Sequence, residues 1–314
     1  MKAEIFDLYR GTTHDGPGLR CTVFFRGCPL RCAWCHNPEG MSLSPALWWD
    51  ANRCIGCRTC EKNCPTGAVH TDETGVSIAD NECTRCSLCV ENCPSKALER
   101  ISRTYTVEEL VDELEKYADY YTSFSGGVTA SGGEAMLQSD FVRELFKRLR
   151  QKGISTALDT CGNVPYEKFE DVLPYTSYVL YDLKIMDPAL HEKWTGADNK
   201  QIISNFRHIL EDTSSGKYDC DIWVRTPLIP GASATEENIR AIARFLRPYM
   251  QNGVSRWELC AFNNACIVKY RKLRRSWQFQ NEAVLDRGFA ERLRECAVEE
   301  CRGRGEIVLT GILK

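Results

Sequence analysis

The chain predicts an α/β fold: a partial TIM-like (β/α) barrel built from residues 1–50 and 100–314, with a small α+β module inserted at residues 51–99. Two observations predict it. Outside the module, short β-rich runs alternate with longer amphipathic stretches, the pattern of a parallel sheet closed or partly closed into a barrel. Inside it, one cysteine pattern occurs twice with an offset of 29 residues, and Gly67-Ala68-Val69 of the first copy answers to Lys96-Ala97-Leu98 of the second.

The strands fall at Cys21–Arg26, Gly127–Ser131, Ser155–Asp159, Tyr178–Asp182, Ile222–Pro227, Arg256–Ala261 and Glu306–Thr310. Between them Val107–Tyr117, Asp140–Gln151, Ile202–Glu211, Glu236–Met250 and Ala283–Cys301 carry apolar residues at helical spacing. Thr106, with Glu109 three residues on, and Ser139 read as helix N-caps. Active sites in such folds gather at the carboxyl ends of the strands. Ser131-Gly132-Gly133-Glu134, Asp159-Thr160 and Asp182-Leu183-Lys184 all fall there. Glycines let a ligand approach the backbone, and Glu134 is placed to accept from a ligand ammonium; an ordinary tight turn is the alternative. Two aspartates with a threonine and a lysine on adjacent strands suit a bound zwitterion or a hard cation with oxygen ligands.

Eighteen cysteines in 314 residues is a large number. The opening Met1-Lys2-Ala3-Glu4-Ile5-Phe6-Asp7 does not read as an export leader, so metal ligation or redox chemistry in a reduced, cytoplasmic protein is expected over disulfides. No apolar run approaches the ~18 residues of a membrane helix. A net charge of −3 gives no reason to expect nucleic acid or an anionic membrane surface. Cys28, Cys32 and Cys35 form a C-x3-C-x2-C loop, enough to hold three irons of a cubane and leave the fourth open. An open position marks a reactive metal site.

Residues 54–64 and 83–93 each read C-x2-C-x2-C-x3-C followed by proline, the spacing of bacterial two-cluster ferredoxins. There the fourth cysteine of each run serves the other run's cluster, so Cys54, Cys57, Cys60 and Cys93 form one 4Fe–4S set, and Cys83, Cys86, Cys89 and Cys64 the second. Zinc is the alternative occupant of such pairs. Cys21, Cys161, Cys220, Cys260, Cys266, Cys296 and Cys301 read as buried thiols, with Cys260 and Cys266 an outside candidate for an extra metal pair. His70, His191 and His208 read as structural or exposed, and the basic run Lys269–Arg275 as a solvated helix or loop.

The three-cysteine loop, the Gly-Gly-Glu turn and the strand–helix frame resemble the radical S-adenosylmethionine (SAM) superfamily. More narrowly, His14-Asp15-Gly16-Pro17-Gly18-Leu19-Arg20, Gly27-Cys28-Pro29-Leu30-Arg31-Cys32, Trp34-Cys35-His36-Asn37-Pro38-Glu39 and Gly127-Val128-Thr129-Ala130-Ser131-Gly132-Gly133-Glu134 resemble the glycyl radical enzyme activating enzymes. Tyr181-Asp182-Leu183-Lys184 and Pro227-Leu228-Ile229-Pro230-Gly231 fit the same family. The resemblance implies three 4Fe–4S clusters, reductive cleavage of SAM at the Cys28 loop, and hydrogen abstraction from a glycine of a large partner enzyme. It further implies an external donor such as flavodoxin or ferredoxin, and a monomer that meets its partner transiently. A radical SAM enzyme acting on a small molecule, with the insert feeding electrons, is the second reading.

Residue by residue, the resemblance puts Trp34 and His36 beside the adenine and Gly133 at the methionine amino group. Asp182 falls at the ribose and Lys184 at the methionine carboxylate. Arg225 is a second carboxylate candidate, with a surface ion pair as the alternative. Asp159, Thr160, Asp182 and the carbonyl of Leu180 match a monovalent-cation site for Na+ or K+. His14 and Asp15 match the place where the partner's glycine loop docks. Ala261-Phe262-Asn263 stands where relatives commonly carry Pro-Tyr-His; Asn263 can hydrogen-bond a ribose hydroxyl but carries no charge. Ala135-Met136 likewise departs from the usual Pro-Leu or Pro-Phe, a change of packing more than of chemistry.

Overall fold

The computed structural model describes all residues except 43–46, 80 and 251. Nine strands form one sheet: β1 (Lys2–Thr12), β2 (Arg20–Phe25), β3 (Arg103–Thr106), β4 (Gly127–Gly132), β5 (Ser155–Thr160), β6 (Tyr178–Asp182), β7 (Asp221–Leu228), β8 (Val254–Ala261) and β9 (Glu306–Thr310). Their order is β9-β8-β7-β6-β5-β4-β2-β1-β3. The seven from β9 to β2 pair in parallel, and β1 and β3 add an antiparallel edge. The sheet is open, with β3 and β9 as its edges.

Each expected strand is present to within two residues at either end. The sequence reading missed β1 and β3. β1 breaks its register against β2 between Ile5 and Asp7 and again between Arg10 and Thr12. Those bulges interrupt the two-residue alternation that marks a strand. Short helices at Tyr166–Val172, Pro188–Thr195 and Ile267–Lys272 were missed as well, each too brief for a helical period to show.

Helices follow the strands because their apolar residues recur every three or four positions. Ser139–Gln151 buries Phe141, Val142, Leu145, Phe146 and Leu149, and Glu236–Leu246 buries Ile239, Ile242, Ala243 and Leu246. Thr106 caps Val107–Glu115 in a full capping box with Glu109. Ser139 does not cap its helix; it is the first helical residue, in right-handed geometry, because a 3-10 turn at Ala135–Gln138 already starts the spiral. Among the described residues no helix is long and apolar enough to cross a membrane.

Arg20 ties the start of the sheet together from inside. Its side chain donates to Thr129 Oγ1 at 2.7 Å, to the carbonyls of Val128 at 2.9 Å and Ser155 at 3.3 Å, and to the carbonyl of Pro17 at 3.2 Å. Burial pushes the guanidinium down to about 10, so it stays charged at neutral pH. Arg20→Ala is expected to cost about 3 kcal/mol or more, since it strands several buried acceptors at once; a urea melt checks it. An unchanged midpoint would refute the role.

His191 is 1% exposed. Its Nδ1 lies 2.7 Å from the Ala197 carbonyl and therefore carries the proton. Burial holds the ring below its ordinary pKa of 6.5. As pH falls through 6.5 the unfolded chain takes up a proton that the folded chain refuses, so stability drops by up to about 1.4 kcal/mol per pH unit from this group. Urea midpoints between pH 7.5 and 5.5 should fall less steeply in His191→Gln; equal slopes would exclude this origin.

The inserted segment repeats itself in space. Thr59–Lys62 and Leu88–Glu91 are matching short helices, preceded by left-handed Arg58 and Ser87. Asn63 and Asn92 each donate back to the first carbonyl of their helix, at 2.8 and 2.9 Å. The buried core of the insert is Cys60, Val69, Val76, Cys89, Cys93, Ala97 and Leu98. Antiparallel pairs Leu47–Trp49 with Leu98–Arg100 and Val69–Asp72 with Gly75–Ile78 complete it.

Candidate active site

The carboxyl ends of the parallel strands converge on one cavity of about 760 Å³. Cys28, Cys32 and Cys35 line it on the loop after β2. Backbone groups and two aromatic side chains hold most of that loop, and the Asn37 N–H adds a bond to Cys35 Sγ at 3.4 Å. The N–H groups of Arg31 and Ala33 donate to the carbonyls of Thr195 and Trp194 at 2.6 and 3.0 Å. Trp277 Nε1 donates to the Ala33 carbonyl at 3.0 Å, and the Tyr270 hydroxyl to that of Cys35 at 2.9 Å. Burial pushes Cys32 up to about 12 and Cys35 higher still, whereas a hydrogen bond from the buried Cys161 thiol holds Cys28 down. Cys161 carried no signal in the sequence beyond being a leftover cysteine.

Trp34 and His36 line the same cavity. Trp34 packs near Trp194 and His36 meets Phe262 edge-on, with ring centroids 6.4 and 6.2 Å apart. Burial lowers the His36 pKa, so the imidazole is neutral at pH 7. Asn263 also lines the wall; its Oδ1 accepts from the Ala265 N–H at 3.1 Å, which leaves its NH2 as a donor.

Glycine 133 is required by packing. A Cβ there would lie 2.2 Å from the Gly27 carbonyl oxygen and 2.6 Å from that of Gly40. Its N–H donates to the Phe25 carbonyl at 2.9 Å, so only its own carbonyl is left for a ligand. Glu134 differs from expectation. It is fully buried and accepts from Thr160 Oγ1 at 2.9 Å, Cys161 N at 2.7 Å and Met136 N at 3.1 Å. Its carboxylate stitches β4 to β5 and has no face toward the cavity for a ligand ammonium.

Asp182 and Lys184 form a close ion pair at the end of β6. Burial opposes the lysine's charge, but Asp182 and then Cys32 outweigh it and raise its pKa; burial pushes Asp182 up against the pull of Lys184. Arg225 is not a surface residue. Its side chain, 17% exposed, lies 3.3 Å from Asp159, 3.5 Å from Glu258 and 3.7 Å from Asp15, and donates to the His14 carbonyl at 3.2 Å. Asp159 also accepts from Ser131 Oγ at 2.6 Å. Asp159, Thr160 and Asp182 line the cavity, while Leu180 is fully buried in β6 and does not.

The basic run 269–275 is partly solvated, with Arg271, Arg274 and Arg275 exposed, and it is also a strap. Lys269 pairs with Glu39 at 2.6 Å and donates to Asn37 at 2.8 Å. Arg274 lies over Trp49 and donates to the Val76 carbonyl at 2.9 Å, while Lys272 sits over Trp48. Cys260 faces Arg225 and Thr310, whereas Cys266 packs in the aromatic cluster with Trp34, so nothing joins the two.

In the insert, Cys54, Cys57, Cys60 and Cys93 line one cavity, and Cys64, Cys83, Cys86 and Cys89 line another. Among the described residues no group of three His, Cys, Asp or Glu closes on a single ion. A cubane holds its cysteines at separate corners, so four thiols facing one cavity is the donor arrangement it takes.

Residues 22–246 match the model of the Radical SAM superfamily. The chain is a radical SAM protein. Within that superfamily it belongs with the activating enzymes of the glycyl radical enzymes. The trans-4-hydroxy-L-proline dehydratase activating enzyme of Clostridioides difficile is 38% identical over 298 residues, covering 94% of this chain and 95% of that protein. The (2S)-3-sulfopropanediol dehydratase activating enzyme of Klebsiella oxytoca is 36% identical over 298 residues, covering 93% and 92%. Among solved structures, Streptococcus suis SuiB bound to precursor peptide SuiA shares the fold, with a TM-score of 0.51 at 11% identity over 90% of this chain and 46% of that one.

Proposed function

We propose that this radical SAM activase cleaves S-adenosylmethionine reductively at the Cys28–Cys32–Cys35 loop and installs a glycyl radical on a partner enzyme. The observation that carries this is the meeting of the three loop thiols with Lys184, Asp182 and the free carbonyl of Gly133 in one cavity, where Cys161 is engaged with Cys28 and Glu134, and Cys260 with Arg225 and Thr310. A 4Fe–4S cluster held there by Cys28, Cys32 and Cys35 would supply the one electron for reductive cleavage of S-adenosylmethionine, and the glycine Cα of the partner would give up the hydrogen.

The chain's own groups suit that ligand. The Lys184 ammonium balances the methionine carboxylate, and the Gly133 carbonyl accepts from the methionine amino group. Asp182 and the Asn263 NH2 serve ribose hydroxyls, and Trp34 with the neutral His36 flanks the adenine. Arg225, committed to three carboxylates, holds the His14–Asp15 segment in place for the partner's glycine loop. A monovalent cation at Asp159, Thr160, Leu180 and Asp182 would compete with Arg225 and Lys184 for the same carboxylates. The two insert cysteine sets hold 4Fe–4S clusters fed by a flavodoxin or ferredoxin, and the activase acts as a monomer.

Anaerobic incubation with SAM, reductant and a panel of glycyl radical proteins tests the reading. A glycyl doublet in the electron paramagnetic resonance (EPR) spectrum of one partner is expected. SAM cleavage without a doublet on any partner would favour a small-molecule substrate instead.

A further inference from the structure

We propose that Cys64, Cys83, Cys86 and Cys89 form the inner of two electron-carrying centres in the insert, and that Cys54, Cys57, Cys60 and Cys93 form the outer one. This rests on the reading that both sets hold clusters. The walls of the two cavities separate them. Around the Cys64 set the wall includes Glu4, Arg26 and Ser102, all residues of the barrel. Around the Cys54 set, every described wall residue falls between Trp49 and Leu98, inside the insert and its entry strand.

The inner wall leads straight to the radical site. Arg26 stands two residues before Cys28, and its N–H donates to the Glu4 carbonyl at 3.0 Å. Gly27 N and Cys28 N donate to the carbonyls of Gly40 and Met41, at 2.7 and 3.2 Å. One hydrogen-bonded stretch of backbone thus joins the inner cavity to the first ligand of the SAM-binding loop. From the outer cavity the link runs through side chains, from Trp49 to Arg274 and then along the strap to Tyr270 and the Cys35 carbonyl.

Charge orders the two centres in the same direction. The inner wall carries Arg26, Arg85 and Arg100 against Glu4, and the outer wall Arg58 against Asp72 and Glu73. Positive surroundings favour the reduced cluster, so the inner centre has the higher potential and electrons run downhill from outer to inner. Per turnover, a one-electron protein reductant gives up one electron at the outer centre. That electron leaves through the inner centre to the Cys28 loop and is consumed by the sulfonium. Both relay centres end as they began, and no bond in the insert changes.

The test uses the fully loaded protein and its Cys57→Ala and Cys86→Ala variants, reduced with titanium(III) citrate. Pulsed EPR reads the spin relaxation of the SAM-binding cluster, identified by the change in its signal when SAM is added. Fast relaxation is expected in the parent and in Cys57→Ala, and slow relaxation in Cys86→Ala. The reverse order, or equal relaxation in the two variants, would overturn the assignment. Should either cysteine variant fail to fold, Arg26→Gln decides: it should lower the midpoint potential of one insert centre, and Arg58→Gln that of the other. The centre moved by Arg26→Gln should be the one whose reduction speeds relaxation of the SAM-binding cluster in the parent; if it is the other, the order is wrong. A parent protein with the SAM-binding signal but no insert signals would instead overturn the cluster reading beneath the proposal.

Discussion

Cys32→Ala is expected to abolish SAM cleavage, with 5′-deoxyadenosine below detection and the iron content reduced by one cluster. The loop itself should persist, because Arg31, Ala33, Cys35 and Trp277 hold it through backbone carbonyls and N–H groups that the substitution leaves alone. The unfolding midpoint of the metal-free chain should therefore hardly move, which separates loss of the cluster from loss of the fold. Cysteine supplies the thiolate that iron requires, and alanine supplies nothing in its place. Cleavage within about tenfold of the parent, a barrier change of only about 1.4 kcal/mol, would mean that these three thiols are not the ligands.

Gly133→Ala should damage both fold and site, for a different reason. The new methyl would collide with two backbone carbonyls, Gly27 just before Cys28 and Gly40 where the loop returns. Neither can swing aside as a side chain tip would, so the loop must lift off the end of β4. A cost of about 3 kcal/mol in stability is expected, together with at least about a hundredfold weaker SAM binding. Gly216→Ala is the comparison. Gly216 has φ of 80° and nothing within 4 Å of a Cβ, so it should lose only the backbone preference of about 1–2 kcal/mol and keep SAM affinity. Equal SAM affinity in the parent and Gly133→Ala would show that the glycine is dispensable.

How much of this was legible depends on range. The cysteine spacings are local and chemically specific, so which four cysteines face each insert cavity could be written down before any fold was known, including the crossed fourth cysteines. The internal repeat was legible too, although Lys96 hides one equivalence: it adopts φ of 54° where Gly67 has 69°. The strand ends pointed to Asp159, Asp182 and Lys184 because a parallel sheet places such residues together.

Orientation was beyond reach. Nothing in Ser131-Gly132-Gly133-Glu134 says that the glutamate turns inward to Thr160 and Cys161 while the glycine faces the loop. For Arg225 a surface ion pair stayed open beside the carboxylate role, because its three carboxylates come from segments far apart in sequence. That the partly solvated run 269–275 is also a strap was hidden because its partners, Glu39, Trp49 and Val76, lie some two hundred residues away.

The placement of the insert also bears on how the protein is made. The chain leaves β2 at Arg26, passes through the whole insert, and returns at Ser102 to lay β3 against β1. Three of the seven buried core residues of the insert are cysteines, so without metal it has little apolar core of its own to fold around. Closing the β1–β3 edge over an unfolded insert means tying off a long floppy loop, whereas a metal-filled insert brings Arg26 and Ser102 together by itself. With the proposed clusters in the insert, iron delivery would be an assembly step as well as a catalytic one. On that proposal, metal-free protein is expected to be cut by protease first at the β1–β3 edge and the insert, with the parallel core left protected.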